Sequence, residues 1–226
     1  MGFSDRSEAG RRLGRALARY KGQDAVVLAL PRGGVPVAAE IASVLSAPLD
    51  LILVRKIGVP DEPELAMGAV VDGPEPITVR NEQVIAMAGV SQAAFNAVRD
   101  RELAEIQRRR IRYLGDRAHP ELTGRTAIVV DDGIATGATV RAALRAARAR
   151  GPKTLVLAVP VAPTDTLADL RAEADEIVCL EDHQAFGAIG FFYADFRQIS
   201  DEEVVAILAR HSIQPPGAHP AAPAPN

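Results

Sequence analysis

Short apolar runs alternate with segments of helical periodicity along most of the chain. The runs fall at residues 25–30, 51–54, 127–130, 155–161 and 177–180. Uninterrupted apolar runs of this length are typical of strands that are buried on both faces, as in a parallel sheet. Between the runs, apolar residues recur every three or four positions, as on one face of a helix. The pattern predicts an α/β fold, a Rossmann-like and largely parallel sheet flanked by helices.

The same pattern places helices, turns and boundaries along the chain. Helices are predicted at residues 4–20, 37–45, 91–114, 138–150 and 166–174, and a capping box at residues 200–203 begins a last one. Two further strands, at residues 64–71 and 77–80, are joined by the turn signal Asp72-Gly73-Pro74. Residues 1–213 are interpreted as one domain, and residues 214–226, rich in proline and alanine, as a disordered tail.

Composition and charge limit the partners to expect. The 226 residues carry a net charge of -3, so there is no general electrostatic reason to expect nucleic acid or an anionic membrane as a partner. The single cysteine excludes an intramolecular disulfide framework. No apolar run reaches the roughly 18 residues that a membrane span needs, and the N-terminus shows no apolar signal core. These features lead us to expect a cytoplasmic protein.

The most informative segment is the junction at residues 126–141. A buried strand is predicted to end in two adjacent carboxylates, Asp131 and Asp132, and a loop with two glycines and two threonines then leads into a helix. Unpaired backbone N–H groups and the helix dipole converge at a helix N-terminus and suit a phosphate. Carboxylates repel a phosphate but accept hydrogen bonds from vicinal hydroxyls. A sugar phosphate meets both demands, with its hydroxyls on the two acids and its phosphate in the loop at residues 135–139.

Three common types of junction fit this segment less well. A plain strand–loop–helix junction would account for Asp131-Asp132-Gly133 alone, the Gly-Lys-Ser/Thr of a Walker loop is absent, and the three-glycine spacing of a dinucleotide fingerprint is missing. The segment resembles the phosphoribosyl pyrophosphate (PRPP) signature of type I phosphoribosyltransferases. The resemblance implies that both acids bind the ribose 2′ and 3′ hydroxyls, and that the following loop completes the PRPP site: Gly133, Ile134, Ala135, Thr136, Gly137, Ala138 and Thr139.

Two more segments, at residues 31–34 and 55–56, each follow an apolar run. They consist of small or cationic residues, as a diphosphate site requires. Ligands of open α/β sheets bind at the carboxyl ends of the strands, so we expect both segments beside the PRPP segment. The second one, Arg55 and Lys56, is similar to the Arg-Lys segment that precedes the mobile loop of adenine and orotate phosphoribosyltransferases. Taken alone, either segment is equally well explained as a turn or a solvated cation. The first resembles the family's pyrophosphate loop and consists of Pro31, Arg32, Gly33 and Gly34.

The resemblance also implies a lid and an acceptor pocket. Residues 58–124 are predicted to contain an inserted lid, in which Glu64 is either a lid residue or a solvated acid. The arginines at residues 108–112 either reach a polyphosphate or form a solvated helix face. Residues 181–213 are predicted to form a small hood whose aromatic side chains either stack on a heterocycle or pack a small core. The candidate acceptor-binding residues are Phe186, Phe192 and Asp195.

The reaction implied by the resemblance is displacement of pyrophosphate from C1 of PRPP by a nitrogenous, heterocyclic acceptor. Asp131, Asp132, Arg55 and Lys56 are the candidate catalytic residues. Mg²⁺ is the expected cofactor, held indirectly through PRPP oxygens and water. Two alternatives stay open, a catalytically silent PRPP sensor on the same fold and a hydrolase or phosphorylase of another ribose phosphate. Dimers are common in the resembled family, so a homodimer is one expected state.

Overall fold

The computed structural model describes residues 2–73 and 75–211. Eight strands form in this part of the chain, and they belong to two sheets. The strands are β1 (Ala25–Ala29), β2 (Leu49–Leu51), β3 (Val54–Val59), β4 (Glu62–Val71), β5 (Ile77–Arg80), β6 (Thr126–Val130), β7 (Thr154–Pro163) and β8 (Glu176–His183).

The larger sheet has five strands in the order β2-β1-β6-β7-β8, and every neighbouring pair in it is parallel. The smaller sheet has the order β3-β4-β5 and is antiparallel. The parallel sheet confirms the predicted fold class. The two strands predicted on either side of the turn at Asp72-Gly73-Pro74 are β4 and β5, which pair with each other.

Helices cover both faces of the larger sheet, and strands β1, β2 and β6 are buried throughout as a result. Within β1, Val27 and Ala29 belong to one apolar cluster, while Val26 and Leu28 belong to the other, as strand alternation requires. The capping box predicted to begin the last helix is present. The helices of the described residues are α1 (Arg6–Ala16), α2 (Gly34–Leu45), α3 (Glu82–Met87), α4 (Gln92–Leu114), α5 (Ala138–Ala149), α6 (Thr164–Leu170) and α7 (Asp201–Arg210), with short 3-10 helices at Ala18–Tyr20 and Ile189–Phe192.

The structure corrects the interpretation of residues 51–56. The apolar run at 51–54 was expected to be one strand of the parallel sheet, with Arg55 and Lys56 just beyond its carboxyl end. Instead β2 ends at Leu51, and Val54 begins β3 by pairing with Val71 in the antiparallel sheet. Arg55 and Lys56 therefore lie within a strand of the smaller sheet. An apolar run shows that a segment is buried, but it does not show which strand will pair with it.

Two further expectations concern the C-terminal tail and membrane-spanning helices. The predicted tail at residues 214–226 lies outside the described residues. Over residues 2–73 and 75–211, no helix is both long enough and apolar enough to cross a bilayer.

Candidate functional site

The ends of β1 and β6 bring two of the predicted segments together. The two strands are parallel neighbours, with Ala29 opposite Val130, so residues 31–34 and 131–139 leave the sheet at the same edge. Their approach is close, because a Cβ on Gly34 would lie 2.7 Å from the carbonyl oxygen of Val130 and 3.0 Å from Cα of Asp131. Only a glycine fits this contact without displacing the backbone. The Pro31–Arg32 peptide bond in this loop is cis.

The two adjacent acids occupy different environments. Asp132 is buried, with 8% of its surface exposed, while Asp131 is only partly buried. The Asp131 carboxylate accepts a 2.9 Å hydrogen bond through Oδ1 from the backbone N–H of Asp132. Burial, and after it the charge of Asp132, raises the pKa of Asp131 well above its ordinary value. The pair therefore favours a single negative charge over two.

The loop that follows the acids leads into the N-terminus of α5. Gly137 is the N-cap residue and has φ of 76°, in the left-handed region that favours glycine. The first N–H groups of the helix have no acceptor within it, so they are free to bind an anion. Thr136 and Thr139 are exposed beside them and line a cavity of about 460 Å³. The loop has the donors that a phosphate needs.

The cationic candidates are distributed unevenly around this loop. Lys56 lines the same cavity as Thr136 and Thr139, and its ammonium group lies 2.9 Å from Glu64 Oε2. Arg55 does not line that cavity, and its guanidinium group is held by the buried Glu102 of α4 at 2.7 Å. The structure therefore places Lys56, but not Arg55, on the cavity that Thr136 and Thr139 line.

Arg32 is the cationic residue of the first predicted diphosphate segment. It is half-buried, and its Nη1 lies 3.5 Å from Asp201 Oδ1 at the start of α7. Arg112 of α4 shares the same acid, with Nη1 2.8 Å from Asp201 Oδ2. At 3.5 Å the contact of Arg32 with Asp201 is longer than an ordinary hydrogen bond, so the ion pair is loose.

The candidate acceptor residues are separated by the structure. Phe186 and Phe192 stack on each other with ring centroids 5.1 Å apart, within a small cluster that includes Phe3 and Val161. Asp195 is exposed and accepts a 3.0 Å hydrogen bond from the backbone N–H of Arg197. It lines a different cavity, of about 210 Å³. The aromatic pair forms a packed core, and the carboxylate lies outside it.

Two residues that the sequence analysis did not select contact the acids. Arg6 of α1 is buried, and its Nε donates a 2.7 Å hydrogen bond to Asp132 Oδ2. Tyr193 donates a 2.6 Å hydrogen bond to the backbone carbonyl of Asp132. Nothing in the local sequence distinguishes Arg6 from the other arginines of α1. The tyrosine lies within the aromatic stretch near the C-terminus, which was the one available signal.

The expected metal ion would arrive with its substrate. Within the part of the chain that the structure describes, no three His, Cys, Asp or Glu side chains are grouped to hold a metal. Mg²⁺ commonly keeps several waters and binds through one or two carboxylates together with substrate phosphates. Asp132 Oδ2 and Asp131 Oδ1 are already hydrogen-bonded to protein groups, so the expected Mg²⁺ would be held through PRPP oxygens and water.

Comparison with known proteins identifies the class. Residues 7–191 match the family model of the phosphoribosyl transferase domain. The chain belongs to this family, as the resemblance at residues 129–139 predicted.

The individual relatives are similar over most of this chain. Two provisionally named phosphoribosyl transferases, from the CDC 1551 and H37Rv strains of Mycobacterium tuberculosis, are each 50% identical over 208 residues, which is 92% of this chain and 46% of theirs. The chain thus spans about half the length of these relatives. The crystal structure of TT1426 from Thermus thermophilus is 40% identical, has a TM-score of 0.81, and covers 94% of this chain and 100% of its own.

Proposed function

We propose that the protein is a PRPP-dependent phosphoribosyltransferase that transfers the phosphoribosyl group to a nitrogenous, heterocyclic acceptor and releases pyrophosphate. One observation carries the proposal. The glycine loop at residues 31–34 touches the segment at residues 131–139, so that two carboxylates stand between two loops suited to anions. PRPP has this order of groups, with a diphosphate on one side of the ribose hydroxyls and a phosphate on the other.

Each end of PRPP has a corresponding segment of the chain. The 5′-phosphate binds the loop of Ala135, Thr136, Gly137, Ala138 and Thr139, where the N–H groups of α5 and two hydroxyls converge. The ribose hydroxyls donate to the carboxylates of Asp131 and Asp132. The diphosphate faces the backbone N–H groups of the loop at residues 31–34. Gly133 and Ile134 connect the acids to the loop at residues 135–139, and Gly133 packs closely against Ile189, whose Cγ2 would lie 2.6 Å from a Cβ at that position.

The chemistry at C1 needs positioning and charge more than a nucleophilic side chain. The bond from C1 to the diphosphate oxygen breaks, the acceptor nitrogen supplies the electron pair for the new bond, and its proton leaves to solvent or to the diphosphate. A positive charge develops on the sugar, as in glycoside transfer. The carboxylate charge of Asp131 and Asp132 stabilises it. Mg²⁺, when bound with PRPP, would neutralise the leaving diphosphate.

The cationic residues have distinct proposed roles. Lys56 faces the phosphate loop, and Arg32 can turn toward the diphosphate from its 3.5 Å contact with Asp201. Arg55 is bonded to Glu102, so its role is to anchor the antiparallel sheet to α4 until a substrate competes for it. The acceptor would lie on the side of Gly133, where Phe186 and Phe192 stack near the C-terminus. Asp195 would contribute only after a movement of its segment.

A second candidate is a catalytically silent PRPP sensor. The observation that favours it is the engagement of Arg55 by Glu102 and of Lys56 by Glu64, which reduces the free positive charge near the leaving group. In either case we propose a cytoplasmic protein that binds PRPP and a small molecule, and neither nucleic acid nor membrane. A homodimer is its proposed oligomeric state.

The deciding experiment measures pyrophosphate release from Mg²⁺–PRPP in the presence of purines, pyrimidines and fractionated small-molecule cell extract. Release that depends on an acceptor would establish the transferase, and the active fraction would identify the substrate. The matched control is the double variant Asp131→Asn, Asp132→Asn, which should keep its fold and lose PRPP binding. Tight PRPP binding without release supports the sensor. A protein that neither binds PRPP nor releases pyrophosphate contradicts both functions.

A further inference from the structure

Arg6 is held in a single orientation beside the acids. Only 9% of its side chain is exposed. Its Nε donates to Asp132 Oδ2 at 2.7 Å, and its Nη1 donates to the carbonyl oxygen of Arg197 at 2.9 Å. The guanidinium group also lies 3.9 Å from the centroid of the Phe196 ring. A buried guanidinium with this many partners is a fixed positive charge and not a mobile surface cation.

Asp132 is fixed from several directions, while Asp131 is not. The Asp132 carboxylate is pressed against Gly33, where a Cβ would collide with it, and its backbone carbonyl accepts the hydrogen bond from Tyr193. Asp131 is more exposed and uses Oδ1 for the backbone N–H of Asp132. The two acids are therefore unequal, although the sequence motif presents them as a matched pair.

We propose that Arg6 is a positioning residue of the ribose site, fixing the Asp132 carboxylate and balancing its charge so that Asp131 presents the accessible oxygen to the ribose. The inference rests on the proposed function, because it assigns a role within the PRPP site. Two adjacent carboxylates, one of them buried, would be costly to ionise together without a counter-charge and would repel a polyanionic substrate. The guanidinium group of Arg6 offsets one of those two negative charges.

Two other arginines of α1 show that this contact is specific. Arg11 lies 3.3 Å from Glu40 and Arg12 lies 3.4 Å from Glu181, and neither of these acids belongs to the PRPP segment. Arg6 alone among these three reaches the motif. It does so because it lies in the first turn of α1, next to the segment that follows Tyr193. Arg11 thus provides a control on the same helix.

The experiment compares PRPP binding by calorimetry in the wild type, Arg6→Gln, Arg6→Lys and Arg11→Gln, across a range of pH. Loss of a hydrogen bond to a charged group predicts that Arg6→Gln binds PRPP on the order of tenfold more weakly, or worse. Arg6→Lys keeps the charge but not the geometry, so its affinity should fall between the two. Arg11→Gln should bind as the wild type does.

The pH profile separates positioning from simple structural support. Burial and Asp132 raise the pKa of Asp131, and the charge of Arg6 opposes that rise. The acidic limb of the profile is the pH range in which protonation of Asp131 weakens PRPP binding. Removing the charge in Arg6→Gln should shift this limb to higher pH, while Arg6→Lys should keep it where the wild type has it. An arginine that merely supported the fold would leave the position of this limb unchanged.

Each outcome decides a different question. If the wild type does not bind PRPP, the proposed function fails, and the role of Arg6 fails with it. If the wild type binds and Arg6→Gln matches it in affinity and pH limb, the function stands and the role of Arg6 is wrong. If Arg6→Gln does not fold, Arg6→Lys carries the test. Unchanged affinity in that variant overturns the inference, and weaker binding with an unchanged free energy of unfolding in urea supports it.

Discussion

The Tyr193 hydroxyl donates a 2.6 Å hydrogen bond to the backbone carbonyl of Asp132. The tyrosine is buried, and its ring stacks on Phe196 with centroids 5.0 Å apart. Burial raises the pKa of Tyr193, so the phenol remains a proton donor throughout the neutral range. The bond ties the C-terminal segment to the strand end that carries the acids. The proposed ribose site therefore depends on residues that are distant in sequence from its motif.

Replacing Tyr193 with Phe tests this link. The carbonyl of Asp132 would lose its partner in a buried position, which costs about 1–3 kcal/mol. We expect a lower free energy of unfolding in urea and weaker PRPP binding by calorimetry. The matched control is Tyr20→Phe, because Tyr20 is also buried and donates a 2.6 Å hydrogen bond, to Glu176. The control should lose stability and keep its PRPP affinity, and equal losses of affinity would argue against the link.

Asp131→Asn should weaken PRPP binding without lowering the stability of the fold. Burial raises the pKa of Asp131 in the folded protein, so its contribution to stability is fully present below the unfolded pKa of about 3.9 and is lost as pH rises through the raised value. Asparagine removes that loss. We expect Asp131→Asn to be at least as stable as the wild type at pH 8 and to bind PRPP more weakly.

The control for this prediction is Asp175, whose pKa is shifted in the opposite direction. The hydrogen bond from Arg148 lowers the pKa of Asp175, so its carboxylate stabilises the fold at pH 8. Asp175→Asn should be less stable than the wild type and bind PRPP normally. A loss of stability in Asp131→Asn at pH 8 would show that its charge is better accommodated than the geometry implies.

Gly33→Ala should damage the site more than the fold. Its new Cβ would collide with the Asp132 carboxylate, which Arg6 prevents from moving freely. Adding a methyl group at a tightly packed contact costs about 1–3 kcal/mol. We expect a clear loss of PRPP affinity in calorimetry with a cooperative thermal transition retained. Normal affinity would mean that the carboxylate can rotate away without consequence.

The contacts of His119 with two carboxylates should make the stability of the fold depend on pH. Its Nδ1 lies 3.3 Å from Asp50 and its Nε2 lies 3.6 Å from Asp72. Burial opposes its charge, but these carboxylates outweigh burial and raise the pKa of His119. The stabilisation is therefore fully present below the unfolded pKa of about 6.5 and is lost as pH rises through the raised value.

The measurement is the free energy of unfolding in urea at several pH values. His119→Gln should be less stable than the wild type at low pH and should lack the decline above about pH 6.5. His211→Gln is the control, since among the described residues its ring contacts Ser43 Oγ and the carbonyl of Ile207, neither of which is a carboxylate. That variant should retain the wild-type decline. If the decline in stability persists in His119→Gln, another titrating group causes it.

Much of the fold followed from local pattern. The helix predicted at residues 91–114 is α4 (Gln92–Leu114), and the capping box at Ser200 begins α7 as expected. Both signals are local, because helix periodicity and capping involve residues only a few positions apart. The prediction that Arg55 lies at the end of a parallel strand was wrong, because strand pairing is not a local property. Whether residues 54–59 join the parallel or the antiparallel sheet depends on pairing with Val71, a contact between distant segments.

The sequence by itself determined the α/β class and the segment that matches the PRPP signature, because both rest on patterns that neighbouring residues carry. Only the tertiary structure decided that Arg6 pairs with Asp132 and that Lys56, rather than Arg55, lines the cavity beside Thr136 and Thr139. Several arginines of α1 have similar local surroundings, and which of them becomes buried is decided by packing against segments more than a hundred residues away. Long-range packing and charge pairing thus distinguish residues that the sequence presents as equivalent.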